Sequence, residues 1–306
     1  MHTQYNWPLI GHQPIKDYFA KTFNAGRINH AYLFEGPEHV GKMTFARLLS
    51  KTLLCEGERT IPCVDCRACR AFDHGAHPDV GVLKRGEEPS IKIEPTRDFI
   101  ATLAQTPLLG RWKIGMIEDA ADFSRDAAHA PLKIIEEPPP RAVIFITAAA
   151  PVPSTISSRC QNIRFGLVSG KDIADFLGGR GIPASMAEEI SKLACGRPGQ
   201  AVQLCDEANY KQRRQQLEEL RRVVASDEKA RMLWIAETFG GKANLQQKRE
   251  DCGQAIHLMQ YILRSNLSDK LENAYLLRRT ISAGQYLKAN IDPRLVMESI
   301  LLNYNP

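Results

Sequence analysis

His30-Ala31-Tyr32-Leu33-Phe34-Glu35-Gly36-Pro37-Glu38-His39-Val40-Gly41-Lys42-Met43 is the stretch on which the fold turns. Ala31 to Phe34 is a short apolar run that reads as a strand, and Phe45, Leu48, Leu49 and Leu53 recur beyond the turn at helical spacing. Between them, Gly36 to Lys42 fits G-x-x-x-x-G-K, the phosphate-cradling P-loop. Glycines let the backbone wrap an anion, the following helix offers its free N–H groups, and Lys42 can reach the β- and γ-phosphates. A glycine turn with no ligand would use the same residues. The agreement of spacing with a strand before and a helix after favours the phosphate loop. The next residue withholds part of the chemistry. Where a P-loop sets a Ser or Thr hydroxyl on Mg²⁺, Met43 has a thioether, a poor ligand for a hard cation. Thr44 cannot stand in, because one further residue turns the side chain by about 100° around the helix.

Working outward, strands are expected at Val80 to Leu83, Ile114 to Ile117 and Val143 to Thr147. Helical patterns lie around them: Ile15, Tyr18, Phe19 and Phe23 ahead of the first strand, then Pro95 to Leu103 and Asp126 to Glu137. Strands alternating with helices imply a mostly parallel sheet covered on both faces. Glu118-Asp119 follows the third strand, where an ATPase of this kind places Asp for the metal and then Glu for water. The order is inverted here, which shifts each carboxylate by about a methylene in a reaction that depends on positioning. Such a pair could otherwise simply cap a turn; with the P-loop upstream it reads as a degenerate Walker B.

The chain changes character at Phe165 to Gly170, and only helical patterns follow. Ile256, Met259, Ile262 and Leu263 form one apolar stripe, and Asp292-Pro293 opens a final helix with Leu295, Val296, Ile300 and Leu301. The expected architecture is an α/β P-loop module over residues 1–166 with a parallel sheet, followed by a small helical lid over 167–207 and an all-helical collar domain over 208–306.

Four of the eight cysteines, Cys55, Cys63, Cys66 and Cys69, fall in one short stretch with tight x2 spacings. Four thiolates suit tetrahedral Zn²⁺ and leave no open position, so such a metal would be structural; disulfides or a chance cluster are the alternatives. His74 and His77 lie near but are not needed. Cys160, Cys195, Cys205 and Cys252 are scattered and read as small buried hydrophobes.

The 306 residues carry a formal net charge of +5, which permits contact with nucleic acid without demanding it. No apolar leader and no run of about 20 apolar residues is present, so the reading is cytoplasmic with no membrane span. Lys211, Arg213, Arg214, Arg221 and Arg222 are interrupted by Glu218 and Glu219, which favours a solvated helix face over a DNA contact.

Several short motifs now fall in order: Ile10-Gly11-His12, the P-loop, and the cysteine insertion directly after its helix. Leu132-Lys133-Ile134-Ile135-Glu136-Glu137-Pro138-Pro139, Ser157-Ser158-Arg159-Cys160 and Gly196-Arg197-Pro198-Gly199 follow. Over essentially its full length the chain resembles the γ/τ and δ′ branch of the AAA+ clamp-loader subunits of bacterial DNA polymerase III, its δ′ members above all. The resemblance implies a ring-like pentamer with γ/τ and δ subunits that opens a sliding clamp and places it on primed DNA, as part of a DNA-directed DNA polymerase holoenzyme. It implies that the arginine of Ser-Arg-Cys, here Arg159, acts in trans as an arginine finger on a neighbour's ATP. Gly36, Gly41, Lys42, Glu118 and Asp119 would then be a vestigial site that holds ATP, if at all, without hydrolysis. Two departures point the same way: Pro131 inside the Leu-Leu-Lys-like helix, and Thr147-Ala148-Ala149-Ala150, where only Thr147 could serve as a polar sensor. A hydrolysing γ/τ-type subunit and a stand-alone zinc-containing interaction protein are the competing readings.

Overall fold

The structure, a computed structural model, describes residues 3–86, 88, 90–241, 244–265, 271–288 and 291–302. It divides into two compact units, Met1–Val168 and Ser169–Pro306.

Among the described residues the first unit contains seven strands: β1 (Gln4–Tyr5), β2 (Ala31–Glu35), β3 (Thr60–Ile61), β4 (Val80–Leu83), β5 (Lys113–Ile117), β6 (Ala142–Ala148) and β7 (Gln161–Arg164). Five make one all-parallel sheet in the order β4-β5-β6-β2-β7. The strand leading into the P-loop is thus separated from the acidic-pair strand β5 by β6. The parallel sheet is the one the alternating pattern led to, with β6 inserted between the P-loop strand and β5.

Alternation along β2 explains why both faces are covered. Tyr32 and Phe34 point into an aromatic core with Phe19, Phe45 and Phe145, while Ala31 and Leu33 join Phe99, Leu103, Ile144 and Ile146 on the other face. The Tyr32 and Phe145 rings stack across the β2–β6 pair with centroids 5.6 Å apart.

Three local outcomes differ from the sequence expectation. The expected helix over 126–137 is two short ones, Arg125–His129 and Leu132–Glu136, because Pro131 has no N–H to continue the first and instead starts the second. Strand β7 (Gln-Asn-Ile-Arg) went unforeseen; it is an edge strand with mostly exposed side chains, so it has no apolar signature. The short parallel pair β1–β3 is equally silent in sequence, two residues on each side.

Beyond residue 168 the described residues form helices only. Ile256, Met259, Ile262 and Leu263 of helix Leu245–Ser265 are all buried, as their spacing predicted. Helix Pro293–Leu301 is capped by the Asp292 carboxylate, which accepts from the Arg294 N–H at 2.8 Å. Arg231, 4% exposed, donates to the Ser226 carbonyl through Nε and Nη2 and to the Leu301 carbonyl through Nη1. One cation therefore satisfies the carboxyl ends of two helices. Lys211, Arg214, Arg221 and Arg222 are exposed, and the first three pair with Glu207, Glu189 and Glu218, the solvated face expected of them; Arg213, expected on the same face, is instead half-buried.

Candidate functional site

The P-loop follows β2 directly. Gly36 has φ 147°, and a Cβ placed there would meet the Phe165 carbonyl oxygen at 2.2 Å, so only glycine fits. Gly41 (φ 101°) opens helix Lys42–Leu54. Lys42 is 8% exposed, and its ammonium folds back to donate to the Gly36 and Pro37 carbonyls at 2.8 and 2.6 Å. Its charge is thus turned onto the loop's own backbone. The helix that follows begins Lys-Met-Thr, with Met43 packed at the margin of the aromatic core.

Glu118 and Asp119 lie just past the Ile117–Ile146 pairing of β5 with β6. Glu118 is exposed. Asp119 adopts left-handed backbone (φ 50°, ψ 79°), and its Oδ1 accepts the Ala149 N–H at 3.1 Å. Its own N–H donates to Thr147 Oγ1 at 3.0 Å, and that hydroxyl lies 3.4 Å from the Ile117 carbonyl. The second carboxylate and the polar candidate on β6 are therefore engaged with each other's strands. They form a clasp between the ends of β5 and β6.

The four cysteines come together. The sulfurs of Cys55, Cys63, Cys66 and Cys69 lie within 4.8 Å of one another, near the roughly 3.8 Å edge of a tetrahedron with 2.3 Å metal–sulfur bonds. The surrounding backbone is shaped for thiolates. The N–H groups of Gly57 and Cys63 both point at Cys55 Sγ at 3.3 Å, and the Cys69 N–H points at Cys66 Sγ at 3.4 Å. A Cβ on Gly57 would meet Cys63 Cβ at 2.9 Å, so the loop closes this tightly only with glycine there. Burial works to raise the Cys63 thiol, but the N–H groups of Cys66 and Asp65 and hydrogen bonds from Cys55 and Cys66 outweigh it and bring Cys63 down to about 7. Burial pushes Cys55 and Cys69 upward. One sulfur is thus ready to ligate near neutral pH while others must give up protons to a metal. The donor set fits a closed four-sulfur ion site. His74 is exposed, and buried His77 accepts the Asp79 N–H on Nδ1 at 3.1 Å, so neither belongs to the cluster. Of the scattered cysteines, Cys195 and Cys252 are buried as expected, whereas Cys160 and Cys205 are only partly so.

Arg159 lies after the short helix Ser154–Ser157, its side chain 36% exposed. Its guanidinium is paired with Glu136 and donates through Nη1 to the Thr155 carbonyl at 2.8 Å. Sequence reasoning missed this partner, since 23 residues separate the two. It also missed Asp79, which is wholly buried and collects the N–H groups of Leu108, Leu109 and Gly110 together with the buried Lys113 ammonium.

With the P-loop, the inserted-strand sheet and the sulfur cluster in place, the comparison with known families is decisive. Residues 11–168 match the family described as "DNA polymerase III, delta subunit". The chain belongs to that family. The match ends where the first compact unit ends, at Val168. Three relatives illustrate its range. The delta' subunit of DNA polymerase III of Pseudomonas aeruginosa is 28% identical over 301 residues, covering 90% of this chain and 91% of that protein. The gamma subunit of Buchnera aphidicola subsp. Schizaphis graminum is 32% identical over 211 residues, 66% of this chain and 58% of that protein. The tau subunit of Escherichia coli K12 is 36% identical over 155 residues, 50% of this chain and 24% of that protein. The chain therefore spans about a quarter to three fifths of its gamma and tau relatives. Among its described residues no helix is long and apolar enough to cross a membrane.

Proposed function

We propose that this chain is a δ′-type subunit of a bacterial clamp loader, one that hydrolyses little or no ATP itself and presents Arg159 to the ATP site of a neighbouring subunit. It would act with γ/τ and δ partners, in the cytoplasm, to open a sliding clamp and place it on primed DNA. One observation carries the reading: the metal-binding hydroxyl is absent, and part of the remaining oxygen chemistry is already tied to the protein's own backbone. Met43 stands where a metal-binding hydroxyl belongs, and Oδ1 of Asp119 accepts the Ala149 N–H. Thr147 is held by the Asp119 backbone. Phosphoryl transfer depends almost wholly on positioning and charge, so this geometry supports a nucleotide site that is vestigial for hydrolysis. The near full-length match to a delta' subunit, against partial matches to gamma and tau, supports the δ′ assignment.

In this reading the four cysteines hold one structural Zn²⁺ that ties the loop following the P-loop helix. A lid (167–207) and a collar (208–306) follow the P-loop module, and the collar packs against the collars of its partners. A γ/τ-type ATPase is the second reading, favoured by the intact Gly-Lys of the P-loop and the higher identity to gamma and tau.

Reconstitution decides between them. With γ/τ and δ partners, clamp and primed DNA, Arg159→Ala should lower hydrolysis at the site it faces by at least about 10²-fold while assembly is retained, in line with arginine fingers generally. Unchanged DNA-stimulated hydrolysis removes the finger assignment. Steady turnover by the isolated chain at the rate of an active motor removes the non-hydrolysing one.

A further inference from the structure

Arg159 is held before any neighbour arrives. Its Nε donates to Glu136 Oε1, Nη2 lies in ion-pair contact with that same oxygen, and Nη1 donates to the Thr155 carbonyl at 2.8 Å. The Nε–Nη2 edge is one that a guanidinium uses to grip two oxygens of a phosphate at once. Here a carboxylate of the same chain already occupies it.

Both partners stand on firm mounts. Glu136 ends helix Leu132–Glu136, which is anchored by buried Ile134 and Ile135. Pro138 forces Glu137 out of helical geometry (φ −121°, ψ 72°), so the helix ends at the carboxylate that is needed. Arg159 follows helix Ser154–Ser157, anchored by Ile156 at 1% exposure. The pair itself faces solvent, with side chains 36% and 45% exposed. Water and salt screen such a contact, which makes it weak and quick to exchange. A phosphate chain carrying several negative charges outcompetes one carboxylate for the same edge.

We infer that Glu136 is a latch on Arg159, a positioning residue that occupies the arginine's gripping edge in the free subunit and yields it to the phosphate of a neighbour's nucleotide. This rests on the finger reading of Arg159. The latch keeps the guanidinium extended at the surface, and it sets a threshold, because breaking the internal pair is subtracted from the binding of the incoming phosphate. A brace that merely fixed the arginine for the chemical step would act on turnover instead.

The test is Glu136→Gln in the reconstituted complex, which keeps the shape and removes the charge. The latch predicts that half-saturating ATP falls by about two- to five-fold, the range for losing one exposed ion pair, with kcat held within about two-fold. In the isolated chain the Arg159 Nε–H, followed by ¹⁵N NMR, should exchange faster in the variant than in the unmodified protein. Half-saturating ATP that stays or rises, or kcat that falls in step as for a brace, overturns the latch. Arg159→Ala in the same assay separates the two claims. If it is harmful while Glu136→Gln is silent, the latch fails alone; if it is silent, the finger reading fails.

Discussion

Replacing Asp79 by Asn should be among the most damaging conservative changes in the first unit. The carboxylate is 0% exposed, with the Leu108 N–H at 2.7 Å on one oxygen and those of Leu109 and Gly110 at 2.8 and 3.0 Å on the other. Lys113 Nζ, on a side chain 1% exposed, lies 3.4 Å from it. Asp79→Asn leaves that ammonium buried without its counter-charge, which costs about 3–5 kcal/mol. It also turns an amide NH₂ toward at least one of the three N–H groups, adding about 1 kcal/mol. The sum, about 4–6 kcal/mol, rivals the whole stability of many domains. It falls on the N-terminal ends of β4 and β5, and Glu118 and Asp119 follow the other end of β5. Urea denaturation followed by circular dichroism reads the total, and amide hydrogen exchange over residues 106–110 reads the loop. Adding Lys113→Met should restore about 2–3 kcal/mol by removing the stranded charge.

The pH dependence has a definite sign. Burial alone would raise the Asp79 carboxyl, but the three N–H groups and Lys113 hold it below the ordinary aspartate value. Its stabilisation is therefore complete above about pH 4 and is lost as acid takes the pH down through the depressed folded value. A cost below about 1 kcal/mol for Asp79→Asn, or no recovery with Lys113→Met, would refute the reasoning.

Other consequences are as direct. Gly36→Ala forces a Cβ to within 2.2 Å of the Phe165 oxygen at φ 147° and should lower the melting temperature by many degrees; an unaltered melt would mean the loop is not built this way. The purified chain should carry close to one equivalent of zinc by elemental analysis, and Cys66→Ser should lower that occupancy and open residues 55–69 to protease. Metal-free protein with the same protease resistance would dismiss the zinc site. Asp119→Ala should cost about 1–2 kcal/mol through the orphaned Ala149 N–H yet leave the reconstituted complex's hydrolysis within about two-fold. A collapse of hydrolysis would return Asp119 to the catalytic column.

Much of this protein is legible because its signals are local. A glycine-lysine loop between an apolar run and a 3.6-residue pattern announces strand, phosphate loop and helix within about twenty residues, and β2 and helix Lys42–Leu54 fall where that pattern put them. The cysteine spacing is equally short-range, and the four sulfurs converge. Edge strand β7 escaped because its side chains face water and carry no alternation to read.

Chain order alone specified an alternating α/β first unit, a helical second one and the residues able to carry charge or metal, since propensity, periodicity and tight loops act over a few positions. What those residues are paired with was settled only by folding. The Asp119 clasp on Ala149, the burial of Lys113 against Asp79 and the Glu136 hold on Arg159 join positions 23 to 34 residues apart. Such pairings depend on which strands lie side by side and which helix ends face each other, and no local pattern encodes that.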